Sequence, residues 1–559
     1  MLKELKDIPR NNRNKYDFYI DIMTALGKLR DLHLSIVAYD GWEYVDYLNS
    51  YIYSPFSYII KKDSKNIPRV YMKIRENVLT TYDESVQKFI KENENNPIFK
   101  INNTDPFEFI QNSGNEFFAC KSEHCSFVLK YTSYGFYLPN LPLKREYISN
   151  LKLQFGAEGE KSINFDYKYM LISKYDMKKE NNNNLREEKK KSKKFIIKTL
   201  ENKHFETTND IKWDYNDTKN DFFRCRVDKE NKVNVFVQSS FHYALWDEFV
   251  YAMDLFYNCT ELFYSNDYPI IGIENNNGGG FGILGVYLSQ LLQINVDFQV
   301  FNAIKPNKHT ISFLNEDEDP DNKAINLTTC ENVDKNILYQ SIKDNYGEDV
   351  YHERSPVYSP INKTERERFE NDRKKLFEKN KKTKKPTDII IFTDGYSYST
   401  TCIFIKGLQD VGGAIIVGYN GNPKIEGKEK FDASQAPSPV FSFYNEPEIE
   451  NLQKLGYSFN QGTFAETFGF NYMSENPTPR EYILNPVDER VDIYSPYDDS
   501  LYEQFIEKAK DIFDKYNNRK ECNPKNKLLT LMDDKCKNIN NKNVHGGFEC
   551  NDDGKERKL

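Results

Sequence analysis

Ser399 stands in Thr393-Asp394-Gly395-Tyr396-Ser397-Tyr398-Ser399-Thr400-Thr401, directly after the apolar run Ile389-Ile390-Ile391-Phe392. Four apolar residues, three of them β-branched, predict a buried strand. The following Cys402-Ile403-Phe404-Ile405-Lys406-Gly407-Leu408-Gln409 predicts a short, mostly buried helix. A hydroxyl is therefore expected where a strand turns into a helix. There the helix's unpaired N–H groups and positive end can stabilise an oxyanion. A second strand, Ala414-Ile415-Ile416-Val417-Gly418, leads to Lys424. An amine acting as a base beside a serine is one way to make that hydroxyl a nucleophile.

A second strand-turn-helix unit lies upstream. Pro269-Ile270-Ile271-Gly272-Ile273 reads as a strand, Asn275-Asn276-Asn277-Gly278-Gly279-Gly280 as its turn, and Ile283 to Leu292 as a helix. Consecutive glycines leave backbone N–H groups unshielded, so a ligand oxygen can approach. Gly280, Gly282 and Gly285 also satisfy Gly-x-Gly-x-x-Gly, but the first lies seven residues past Ile273, whereas a dinucleotide turn is tight. A glycine turn with only a structural role is the simplest reading of the triplet by itself. Its pairing with Ser399 makes it a candidate oxyanion turn. Repeated β-turn-α units predict a mostly parallel sheet with helices packed on it.

Taken together, these stretches resemble the tail-specific (C-terminal processing) serine peptidases, in the branch of the chlamydial protease-like activity factor and its secreted fungal relatives. Asn277-Gly278-Gly279-Gly280 is similar to the family's Asn-Gly-Gly turn, and Ser399 falls at its nucleophile position. Leu408-Gln409-Asp410 with Gly413 to Gly418 resembles the segment after the nucleophile helix. Arg480-Glu481-Tyr482-Ile483-Leu484-Asn485-Pro486, leading to Arg490 and Tyr494, resembles the fungal branch. The likeness spans roughly residues 235–300 and 385–515, and more loosely 16–40.

The resemblance implies an α/β protein with a ClpP/crotonase-like catalytic core, N-terminal helices and a small PDZ-like mixed domain. It implies a serine endopeptidase acting on protein or peptide substrates without metal or organic cofactor. Ser399 would attack the peptide carbonyl, and the N–H groups of Thr400 and of Gly278 or Gly279 would hold the oxyanion. Two bases remain open. His33, in Asp31-Leu32-His33, matches the histidine of the chlamydial and fungal branch and is favoured, because an imidazole works near neutral pH. Lys424, 25 residues after Ser399, matches the lysine of bacterial members and would have to work as a neutral amine. Asp410 matches a supporting carboxylate, or balances the charge of a helix end. The family's base-orienting glutamate is replaced by Asn485, its Gln after the lysine by Lys428, and an acidic residue three after the serine by Cys402. These departures motivate a rival expectation: a peptide-binding pseudo-protease that keeps the fold. A third is a crotonase-type enzyme acting on acyl thioesters, for which the serine would be dispensable.

Length and charge set the frame around these motifs. With 559 residues the chain is expected to form two or three domains. Segments 1–55 (helical), 56–145 (small mixed or all-β, the PDZ-like slot), 146–515 (catalytic, with charged insertions at 177–195 and 364–385) and 516–559 (a polar tail with cysteines) follow from composition and resemblance. Seventy-seven basic against 85 acidic residues, a net charge of −8, argue against nucleic acid as the main partner. No apolar run is long enough to span a membrane. The first ten residues lack an apolar secretory core, although the resemblance implies an extracellular protein. Cys522, Cys536 and Cys550, spaced by fourteen, read as part of a disulfide module, with a zinc site at His545 as the lesser alternative. His124, beside Cys125, reads as an ordinary surface or loop histidine.

Overall fold

The computed structural model describes residues 50–132, 150–171, 211–304, 361–435 and 479–517, save for breaks at 118–119, 157–158, 244, 276–277, 281, 295–299 and 362, together with isolated positions and short strand pieces elsewhere. His33, His545 and the 177–195 insertion lie outside the described residues.

The N-terminal module is mixed. Strands β1 (Phe56–Lys62) and β2 (Pro68–Ile74) form an antiparallel hairpin. Asp63 accepts the N–H groups of Lys65 and Ile67 across its turn. Helix α1 (Glu84–Glu92) follows, then β3 (Ile98–Ile101), α2 (Pro106–Phe117), α3 (Glu123–Thr132), β4 (Leu151–Phe155) and β5 (Lys161–Phe165). The last three strands of the module pair antiparallel in the order β3-β4-β5. Phe56, Val70, Ile90, Ile101, Phe127, Leu153 and Phe155 close one core between strands and helices. This module is α/β, so the all-β option for residues 56–145 gives way. Asp105 starts α2: its carboxylate accepts the N–H groups of Phe107 and Glu108.

The large domain is built on a seven-stranded sheet. Its strands are β6 (Tyr215–Asn216), β7 (Phe223–Asp228), β8 (Val233–Gln238), β9 (Ile270–Glu274), β10 (Ile389–Thr393), β11 (Ile415–Gly418) and β12 (Glu489–Arg490). The spatial order is β12-β11-β10-β9-β8-β7-β6. From β8 to β12 the pairing is parallel, and β6 and β7 add an antiparallel edge.

Helices α4 (Trp246–Tyr264), α5 (Gly282–Leu292), α6 (Lys363–Asn380) and α7 (Thr400–Asp410) accompany this sheet, with α8 (Tyr502–Asn517) near the end. Because strand side chains alternate, Ile389 and Ile391 join the α4–α5–α7 layer, while Ile390 and Phe392 join Phe505 and Ile506 of α8 on the other face. Both faces are covered, which is why the parallel strands read as unbroken apolar runs. The ends of β9, β10, β11, α5 and α7 differ from their sequence expectations by no more than two residues, while the charged stretch 364–385, expected as a solvated helix or a linker, contributes α6, a helix packed on the core. Phe369 and Leu376 are buried, and Tyr287 of α5 donates to Asp372 (2.9 Å). A disulfide joins Cys225 of β7 to Cys259 of α4, and another joins Cys120 to Cys125. In the tail, Cys522 and Cys550 are register partners of a short antiparallel pair. No described helix is long and apolar enough to cross a membrane.

Candidate active site

The parallel strands end level with one another: Glu274 is in register with Thr393, and Thr393 with Gly418. Sites in open α/β sheets form at these carboxyl ends. Here the chain leaves β10 into a tight turn. Asp394 accepts from the amides of Tyr396 (3.0 Å) and Ser397 (3.1 Å) and from the Ser397 hydroxyl (3.3 Å). Burial lifts the Asp394 carboxyl to about 6, and those donors only partly offset it.

Ser399 then sits at φ +56°, ψ −125°, immediately before α7. Positive φ is costly for a residue with a β-carbon, so the surrounding contacts must impose it. The result presents a half-buried hydroxyl at the head of a helix whose residues Thr400 to Gln409 are all buried. Ile403 donates back to the Ser399 carbonyl (3.1 Å), the first main-chain bond of the helix.

The glycine turn after β9 meets this serine directly. Gly278 has φ +117°, and a β-carbon there would stand 2.5 Å from the Tyr398 carbonyl oxygen and 3.0 Å from the Ser399 β-carbon. A β-carbon on Gly279 would stand 2.1 Å from the carbonyl carbon of Phe241, and the Phe241 amide donates to the Gly278 carbonyl (2.9 Å). Neither position admits a side chain, which explains two of the three glycines. The hydroxyls of Ser399 (3.3 Å) and Thr400 (2.9 Å) both donate to the Gly279 carbonyl. Thus Ser399, Thr400, Gly278 and Gly279, separated by 120 residues, form one cluster. His242 carries no sequence motif, yet it is exposed on the loop whose Phe241 covers Gly279.

The contacts of Lys424, Asp410 and Asn485 run to other parts of the chain. Lys424 is exposed in the loop beyond β11, its ammonium 5.7 Å above the Phe107 ring of the N-terminal module. Asp410 ends α7, ~16 Å along the helix from Ser399 at 1.5 Å per residue. There it is ion-paired with the buried Arg480. That pair neutralises the Asp410 carboxylate at the end of the helix. Asn485 is half-buried, and its main chain is fixed beside Asp432: its amide donates to the Asp432 carboxylate (3.0 Å), and Ala433 donates to its carbonyl (2.9 Å). Its neighbours hold the second half of α7, through Lys406 to the Ile483 carbonyl (3.3 Å) and Gln409 to the Pro486 carbonyl (2.6 Å).

Behind α7 lies a buried charge cluster without a sequence motif. Asp432 pairs with Lys406 (3.3 Å) and with Lys121 of the N-terminal module (2.8 Å). Burial pulls the Lys406 ammonium below its ordinary range. Burial acts on Lys121 too, but there the Asp432 carboxylate outweighs it and leaves the group raised. The single advance signal was Lys406 itself, a lysine inside an apolar helical run. His124, read as a surface histidine, is fully buried. Its Nδ1 accepts the Asn422 amide (3.1 Å) and its ring packs on Phe431 at 4.8 Å. Burial, followed by the nearby Arg490 and Lys430, holds it neutral with a pKa of about 3.

No family model matches the chain, and no curated protein does. Solved structures do. It is similar to CPAF, the chlamydial protease-like activity factor, in its mature form complexed with lactacystin. That likeness has a TM-score of 0.48 at 13% identity, over 91% of this chain and 90% of that one. A photosystem II D1 C-terminal processing protease is similar with a TM-score of 0.29 and 9% identity, over 88% and 85%. A putative peptidase from Parabacteroides merdae has a TM-score of 0.27 and 12% identity, over 52% and 64%. At such identity and overlap none of them assigns a role to a residue of this chain.

Proposed function

We propose that the chain is a serine-type endopeptidase working through an acyl-enzyme on Ser399. The observation that carries this reading is the serine's backbone: a non-glycine residue held at φ +56° between β10 and α7, against a glycine turn that admits no side chain. Strain of this kind persists where the fold over-determines it, and here it presents the side chain beyond the carboxyl ends of the strands.

In the proposed reaction the Ser399 Oγ attacks a peptide carbonyl carbon while its proton passes to the base. His33 is the favoured base and Lys424 the alternative. The carbonyl oxygen becomes an oxyanion held by the amides of Thr400 and of Gly278 or Gly279; one such donor is worth about 3 kcal/mol in the transition state. Collapse expels the amine, which takes the proton from the base, and water then hydrolyses the ester. The mixed N-terminal module, in the slot of a PDZ-like domain, would add extended substrate to a sheet edge. The parallel core supports a ClpP/crotonase-type assignment, and the buried disulfides fit an oxidising compartment and hence secretion.

One feature favours the pseudo-protease reading. The group facing the Ser399 hydroxyl is the Gly279 carbonyl, an acceptor where an oxyanion needs donors. A fluorophosphonate probe separates the two. Labelling of the wild type and not of Ser399→Ala is expected for the peptidase; an unlabelled wild type would leave the peptide binder.

A further inference from the structure

The segment around Lys121 belongs to the N-terminal module and lies in the ring closed by Cys120–Cys125. It reaches the nucleophile from two sides. Through its main chain, the Lys121 amide donates to the Gln435 side-chain carbonyl (2.9 Å). Gln435 is 1% exposed and grips the turn ahead of Ser399: its side-chain amide donates to the Gly395 carbonyl (3.1 Å) and its main-chain amide to the Ser397 carbonyl (2.7 Å). Through its side chain, the Lys121 ammonium pairs with Asp432 and donates to the Ile483 carbonyl (2.8 Å). Asp432 in turn pairs with Lys406 of α7 and accepts the Asn485 amide.

One residue from another module is thus wired both to the turn that enters Ser399 and to the helix that leaves it. Every polar atom of the Gln435 amide is committed to this bridge. A surface residue docking two modules would need no such double connection; a residue that fixes the torsions of the strained turn would.

We infer that Gln435 and Lys121 are positioning residues for Ser399, so that the N-terminal module, through its disulfide-closed loop, sets the nucleophile's geometry. This inference rests on the peptidase reading. Neither residue touches the reacting atoms; both act through residues 395–397 and α7.

The test is the rate of Ser399 phosphonylation in the full chain, resolved into probe affinity and chemical step. Gln435→Met keeps the volume and removes the two side-chain bonds, to the Lys121 amide and the Gly395 carbonyl. It is expected to slow the chemical step about 10- to 100-fold, the scale of a small misplacement of a reacting group, with probe affinity unchanged. Lys121→Met is expected to slow it as well, and Lys121→Arg, which keeps the charge, to restore most of the rate. Should Gln435→Met fail to fold, the Lys121 pair decides the matter. Equal chemical rates in wild type, Lys121→Met and Lys121→Arg, or a loss confined to probe affinity, would overturn the inference while leaving the peptidase intact. A wild type that the probe does not label would remove the peptidase reading, and this inference with it.

Discussion

The two ends of α7 are opposites. At its head, the Ser399 and Thr400 hydroxyls donate to a main-chain group, the Gly279 carbonyl, and the Gly278 turn packs too closely on Tyr398 and Ser399 to admit a β-carbon. Along its second half, Lys406 and Asp410 sink into ion pairs with Asp432 and Arg480. In the proposed reaction the head would accept a substrate and a changing charge. The tail has no such duty and can be locked. The comparison teaches that this helix is anchored by charge at one end, while a strained main chain presents the hydroxyl at the other.

The contrast can be broken most severely at the anchored end. Asp432→Ala leaves the Lys406 and Lys121 ammoniums buried with no shared carboxylate, and is expected to lower stability by about 3–5 kcal/mol. Urea unfolding measures this, and a loss under 1 kcal/mol would mean the cluster is not sealed. At the head, Gly278→Ala drives a methyl against the Tyr398 carbonyl and imposes a forbidden φ. An expected fall of about 10²–10³ in acylation rate, the cost of a lost oxyanion donor, sets it apart from a merely unstable protein if the melting temperature moves little. Removing the proposed base by His33→Ala should cost about 10² in rate. A comparable loss from Lys424→Ala, with His33→Ala neutral, would install the amine mechanism; a loss confined to His242→Ala would move the base to the loop over Gly279.

The smallest effect is a pH dependence. The Asp394 carboxyl, raised to about 6 by burial, binds its proton more tightly folded than unfolded. Its contribution is therefore fully present below the ordinary carboxylate range, near pH 4, and is lost as pH rises through 6. The change is on the order of 2–3 kcal/mol. Asp394→Asn keeps an acceptor oxygen for the Tyr396 and Ser397 amides, so its stability between pH 4.5 and 7 should fall less than the wild type's. Parallel curves would place the proton elsewhere.

Legibility in the sequence followed periodicity. Ile389–Phe392 and Ile270–Ile273 announced central strands because both faces are apolar, and glycines after a strand announced a turn with no room for side chains. The Ser399 environment was readable for that reason. The rear of α7 was not, because Lys121, Asp432 and Arg480 look like surface residues until tertiary contacts bury them. Asp410 gave no hint of a partner seventy positions on. His124 misled in the same way: its burial is decided by Phe431 and the Asn422 main chain, far along the chain. The stripe of α6 hid among lysines and glutamates, since only Phe369 and Leu376 in its middle are apolar and buried. Nor does spacing reveal the Cys225–Cys259 pairing, which depends on α4 lying over β7.

The Cys225–Cys259 bond encloses a loop of sequence separation 34. By chain-entropy reckoning such a closure restricts the unfolded state by about 4 kcal/mol. The stapled portion is the antiparallel flank, β7 and β8 with α4, whereas β9, β10 and β11 bear the glycine turn and the serine. Reductants would therefore be felt first as a loosened margin of the sheet, with the reactive centre failing later and only when that margin frays.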